Sequence, residues 1–162
     1  MKKLLSSGMA TLLVAMATFS GATLLASEER AVDGDMRAQF VGAWRLVWLE
    51  EQGLDGAVHR ADCTGLLVFT GEGRMSVQVM YRNPQAGASS GPVQYAQAGY
   101  EATFGRYEID EPSRQFTFHV EGALIRSLVG KDLTRLFELS GRQLIVKPAS
   151  PNEHWRVAWE HY

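Results

Sequence analysis

The nine residues Phe40-Val41-Gly42-Ala43-Trp44-Arg45-Leu46-Val47-Trp48 constrain the fold of this chain more than any other stretch. A small residue and a Trp open a segment in which side chains alternate. Trp44, Leu46 and Trp48 share one face; Arg45, Val47 and Leu49 share the other. Comparable runs follow to the C-terminus: Thr64 to Phe69, Arg74 to Tyr81, Ala102 to Ile109 and Gln115 to Glu121, then Leu133 to Leu139, Gln143 to Lys147 and Trp155 to His161. Turn residues separate them, among them Thr70-Gly71-Glu72-Gly73, Asp110-Glu111-Pro112-Ser113 and Ser140-Gly141. Many short strands with almost no helix read as an all-β fold. The expected architecture is a single antiparallel up-and-down β-barrel of about 8–9 strands.

Some segments depart from that rhythm. Asp35 to Phe40 is long enough for one helical turn or a plug across a barrel end. Residues 82–94 form a long irregular run of Asn, Pro, Gly, Ala and Ser, as functional lids and mobile tips often do. Val93 to Tyr100 has the composition of a short helix, and Leu124 to Val129 reads as a continuation of the fifth strand beyond Gly122.

The N-terminus reads as a secretory signal. Lys2 and Lys3 precede an uncharged, mostly apolar stretch from Leu4 to Leu25, and small residues at Ser20, Ala22 and Ala26 offer cleavage sites. The serines and glycines within it weaken it as a permanent membrane span. The organisation is therefore 1–26 signal peptide, 27–39 leader and 40–162 barrel domain, with a periplasmic or secreted destination. Removing 1–26 leaves 136 residues and takes the net charge from −2 to −4, because Lys2 and Lys3 leave with it. A mildly acidic chain lacks the basic footprint of a nucleic-acid binder. The single cysteine, Cys63, has no internal disulfide partner and reads as a buried small side chain.

Taken in order, Val41-Gly42-Ala43-Trp44-Arg45-Leu46, Thr64-Gly65-Leu66-Leu67-Val68-Phe69, Gly73-Arg74-Met75-Ser76-Val77-Gln78 and Gly105-Arg106-Tyr107-Glu108-Ile109-Asp110 carry a resemblance. His119-Val120-Glu121, Arg135-Leu136-Phe137-Glu138-Leu139-Ser140-Gly141 and Trp159-Glu160 complete it. The chain from Phe40 to Glu160 resembles the bacterial lipocalin-like domain family. The resemblance implies an antiparallel barrel with an internal cavity and implies little about activity. The paired cysteines and C-terminal helix of transport lipocalins are absent from the sequence.

Five residues stand out as candidates for binding a ligand: Gln78, Tyr107, His119, Glu121 and Arg135. In the fifth strand, Phe116, Phe118 and Val120 share a face opposite Thr117, His119 and Glu121. Either the aromatics fill the interior, or the polar row lines a hydrated cavity where His119 and Glu121 exchange a proton with a ligand. Arg135 interrupts the apolar row Leu133, Phe137 and Leu139. If that row points inward, the guanidinium needs a carboxylate, a carbonyl or an anionic ligand, or an aromatic face such as Trp44. Tyr107 sits on a row with Thr103, Gly105 and Ile109, and Gln78 on one with Ser76 and Met80. The four tryptophans read as core and barrel-end closure.

Other constellations point nowhere. Gly87-Ala88-Ser89-Ser90-Gly91 spells a nucleophile elbow but sits in a glycine-rich loop rather than between a strand and a helix. The four histidines have no metal-ligand spacing. No cofactor and no metal is expected. The leading expectation is an exported barrel binding a small, apolar or amphipathic molecule, without nucleic acid and without a membrane anchor after cleavage. The rival expectations are a cofactor-independent isomerase, cyclase or hydratase using an acid–base pair, and a structural protein whose barrel is filled solid.

Overall fold

A computed structural model describes residues 36–53, 55–83 and 99–162. The signal segment, most of the leader, the loop carrying Gly87 to Gly91 and all but the end of the helix expected at 93–100 lie outside the described residues.

The described chain runs α1 (Met36–Phe40), β1 (Gly42–Gln52), β2 (Val58–Arg60), β3 (Cys63–Phe69), β4 (Arg74–Tyr81) and β5 (Tyr100–Asp110). It continues through β6 (Gln115–Ala123), a 3-10 turn at Arg126–Leu128, β7 (Asp132–Ser140), β8 (Gln143–Pro148) and β9 (Trp155–His161). From β3 to β9 each strand pairs antiparallel with the next, and β1 pairs with β3 on one edge and β9 on the other. The sheet therefore closes into an eight-stranded barrel, with β2 added as a flap on the far end of β1, where Glu50 faces Arg60. Closure runs from Trp44 opposite His161 to Glu51 opposite Trp155. No helix among the described residues is long and apolar enough to cross a membrane.

The inward row is the expected alternation with two breaks. A bulge between Leu46 and Trp48, where β1 meets β9, shifts the parity of the strand. Trp44, Leu49 and Glu51 are buried as a result, while Trp48 turns outward between the guanidinia of Arg60 and Arg156, 5.4 and 5.1 Å from its ring. The face expected to hold Trp44, Leu46 and Trp48 together is thus split by one extra residue. A second bulge, between Phe104 and Gly105, lies where β5 meets β6. There a Cβ on Gly105 would meet the His119 carbonyl oxygen at 2.0 Å, so the glycine is needed for backbone approach. The strand continuation expected over Leu124 to Val129 is absent. β6 stops at Ala123 and the chain turns at Arg126–Leu128, with the Leu128 amide donating to the Ile125 carbonyl at 3.1 Å.

One barrel end is sealed by α1. Phe40 is 0% exposed and packs edge-on against Phe69, Phe116 and Phe137, at centroid distances of 5.1, 6.1 and 4.9 Å. The helix ends there, and the Trp44 indole N–H donates to the Phe40 carbonyl at 2.8 Å, which ties the plug to β1. Gly42, at φ +136°, makes the turn between plug and strand; a Cβ there would collide with the His161 ring. Burial of Phe40 against three rings puts the cost of Phe40→Ala at about 3–5 kcal/mol. Urea unfolding measures it, and a loss below about 1 kcal/mol would show that the plug contributes nothing to the barrel.

Candidate binding cavity at the open end

Beyond the aromatic plug the described side chains leave a space inside the barrel. A cavity of about 80 Å³ lies inside the barrel, lined by Leu49, Leu67, Met75, Val77, Val79, Phe116, Phe118, Leu133, Val146, Trp155, Val157 and Trp159, with Leu128 from the 3-10 turn. These come from the inward rows of β1 and β3 to β9. Three polar side chains interrupt this lining: Glu101, Thr103 and Arg135.

Arg135 is 7% exposed. Its guanidinium lies 3.5 Å from Glu153 Oε1, donates to the Thr134 carbonyl at 3.2 Å and stacks over the Trp155 ring at 5.1 Å. Both answers to its burial are present together, a carboxylate and an aromatic face. The tryptophan is Trp155 rather than Trp44, because Trp44 sits at the plugged end. Glu153 in turn accepts the Trp155 indole N–H at 3.1 Å, so the β8–β9 turn and the arginine brace one another.

Glu101, at the start of β5, points from the wall into the same space. Burial pushes its carboxyl up from 4.5 to about 7, against the opposing pull of the Arg135 charge and a hydrogen bond with Thr103. Farther toward the rim, Glu51 is 3% exposed, accepts the Tyr81 hydroxyl at 3.0 Å and lies 3.5 Å from His59 Nε2. Burial, then the negative charges of Glu51 and Glu101, push the Tyr81 phenol far up. Burial and Glu51 likewise raise the Cys63 thiol to about 11, so Cys63 is a protonated, enclosed side chain with little nucleophilic character. Among the described residues, no group of three or more His, Cys, Asp and Glu side chains converges to hold a metal ion.

The five residues singled out in the sequence scatter over this architecture. Arg135 lines the cavity. Tyr107 is buried on an inward row but at the plugged end, where its hydroxyl donates to the Thr70 carbonyl at 3.0 Å and Arg37 covers its ring. Gln78, His119 and Glu121 are on the outer surface. Phe116, Phe118 and Val120 take the inside, so the polar row of β6 faces away from the cavity. The reason is energetic: three large apolar side chains gain about 1.5–3 kcal/mol each from burial, which the polar row cannot match. His119 Nδ1 pairs there with Asp132 at 2.7 Å, and Glu121 pairs with Arg74 and Arg106. Gln78 and Glu121 border a shallow outer groove with Phe104 and Val129. Glu101 and Glu51 were missed in the sequence. Glu101 has the parity of Thr103 and Tyr107 but precedes the expected start of its strand, and the parity of Glu51 is readable only once the β1 bulge is known.

Residues 41–160 match the lipocalin-like domain family. The chain belongs to that family. No curated protein matches the chain. Among solved structures, a lipocalin-like protein from Bacteroides uniformis shares 15% identity at a TM-score of 0.45, covering 76% of this chain and 99% of that one. An uncharacterized protein from Bacteroides eggerthii shares 14% identity at a TM-score of 0.44, covering 76% and 99%. A redesigned β-barrel shares 10% identity at a TM-score of 0.43, covering 78% and 94%. The closed strand order itself carries the fold of this lipocalin-like domain.

The raised Glu101 carboxyl has a thermodynamic signature. Between about pH 4.5 and 7 the folded lipocalin-like domain keeps a proton that the unfolded chain gives up. This group's contribution to stability is therefore highest below pH 4.5 and falls as pH rises to 7, by at most about 3 kcal/mol. Glu101→Gln removes that slope. Urea unfolding at pH 5 and pH 8 should show the variant gaining on the wild type at the higher pH, whereas a difference independent of pH would contradict the buried placement.

Proposed function

We propose that this lipocalin-like chain is exported and holds a small, largely apolar molecule in the open half of its barrel. The observation that carries the reading is the cavity itself, an apolar chamber whose wall bears one arginine, one glutamate and one threonine. Ligand sites are concave and mostly apolar, with a few polar groups that orient the occupant. The chamber argues against a barrel filled solid. Export to the periplasm or outside the cell is supported by Lys2 and Lys3 ahead of the uncharged run to Leu25. An acid–base role inside the barrel does not suit His119 and Glu121, because both face outward into ion pairs.

A chamber of about 80 Å³ suits a ligand of a few non-hydrogen atoms, or the end of a longer one that reaches the rim. Butan-1-ol is a fitting neutral probe, and for so small a ligand a titration must extend into the millimolar range. Butanol should shift the NMR signals of the Trp155 and Trp159 indole N–H groups. Val77→Phe, which fills the chamber, should weaken binding at least tenfold, and His119→Gln on the outer face should leave it unchanged. Butanol binding that survives Val77→Phe, or that follows His119, would overturn the reading.

A further inference from the structure

The outer surface of the barrel is uneven in charge. The outward positions from Thr64 to Val68 on β3, Ser76 to Met80 on β4 and Tyr100 to Phe104 on β5 hold no charged side chain. Every other barrel strand carries at least one on its outward row, such as Arg45 on β1, Glu121 on β6, Glu138 on β7, Lys147 on β8 and Glu160 on β9. Phe104 is 57% exposed at the edge of this neutral field, and its ring lies over Gly122, where a Cβ would meet it at 2.3 Å. Two outer grooves meet at the ring. One is bordered by Leu124, Arg126 and Val129, the other by Val68 and Arg74, and Glu121 borders both. Leu124 and Val129 are exposed as well.

Three guanidinia border this corner and share one carboxylate. Glu121 pairs with both Arg74 and Arg106, and Arg126 has no carboxylate partner among the described residues. The next carboxylates, Glu108 and Asp132, stand against His119. Exposed apolar side chains with a polar rim mark a surface that meets a protein or a membrane. We propose that this corner, built by Phe104 and the turn after β6, rests on an anionic phospholipid surface as a reversible, peripheral contact. Phosphate oxygens supply the acceptors that Arg126 lacks and meet the open sides of Arg74 and Arg106. Phe104, Leu124 and Val129 enter the boundary between headgroups and acyl chains, to a depth of about 5–10 Å. A second copy of the chain fits the face less well. It would bring two guanidinium-rich rims together with no spare carboxylate between them. Three exposed apolar side chains also fall short of the roughly 800 Å² per partner that a stable dimer buries. Leu128, in the same turn, lines the chamber from inside, so the seated corner includes one wall of the chamber. The contact does not depend on what the chamber holds.

Bicelles of phosphatidylcholine alone and of equimolar phosphatidylcholine and phosphatidylglycerol, each with a trace of spin-labelled lipid, test the contact by NMR. The anionic bicelles should bind the wild type, and the label should broaden the backbone amides of Phe104, Leu124 and Val129. It should spare Arg156 and Glu160 on β9, four strands away in either direction around the ring. Binding should fall by about tenfold or more as ionic strength rises from about 0.01 to 1 M, where the screening length shortens from roughly 30 to 3 Å. Arg126→Ala, on an exposed turn, should weaken binding about fivefold. Phe104→Ser should weaken it roughly tenfold; if that variant does not fold, the broadening pattern and Arg126→Ala decide. No binding to either bicelle, equal binding to both, or broadening confined to other parts of the chain would overturn the proposal. Shifts at Phe104 that follow protein concentration without lipid would give the face to a second copy and overturn it too.

Discussion

The hydrogen-bonded closure of β1 onto β9 governs everything inside this domain. A sheet of eight strands left open would expose two edges and one apolar face; closed, it has no free edge and must account for its interior. The interior is divided by size of side chain. At one end Phe40, Phe69, Phe116 and Phe137 meet around the short helix α1 and leave no space. At the other, apolar side chains from opposing strands stop short of one another, and the gap is the chamber.

The strand count and the alternation were legible because each strand carries its own period-2 pattern bounded by turn residues. The inward row of β7 was legible for the same reason, and with it the burial of Arg135. What escaped was anything that depends on a bulge or on strand pairing. One extra residue at Val47 turns Trp48 out and Glu51 in, and no local pattern announces it. The flap β2 is three residues long and fully exposed, so it has no apolar alternation to read. The orientation of β6 was undecidable from the strand alone, since an amphipathic strand has two faces and only the rest of the barrel says which is inside. Once it is known, His119 and Glu121 become members of outer ion pairs, interactions that contribute about 0–1 kcal/mol in water.

The inner charges are a different matter. Arg135, Glu153 and Glu101 sit where water is scarce, so each must be matched or must give up its charge. Apolar residues at these positions would make a drier and simpler core. Arg135 and Glu101, together with Thr103, give the largely apolar chamber a fixed polar side. Fold membership does not choose a ligand, and the choice rests on these few residues.

The most direct test of a barrel hollow at one end and solid at the other is diffraction from crystals of the protein held under xenon pressure. Xenon enters apolar cavities and ignores filled ones. Xenon density is expected among Leu67, Val77, Phe118 and Trp159, and none among Phe40, Phe69 and Phe137. A barrel without xenon in the first group, its side chains in contact across the chamber, would contradict it.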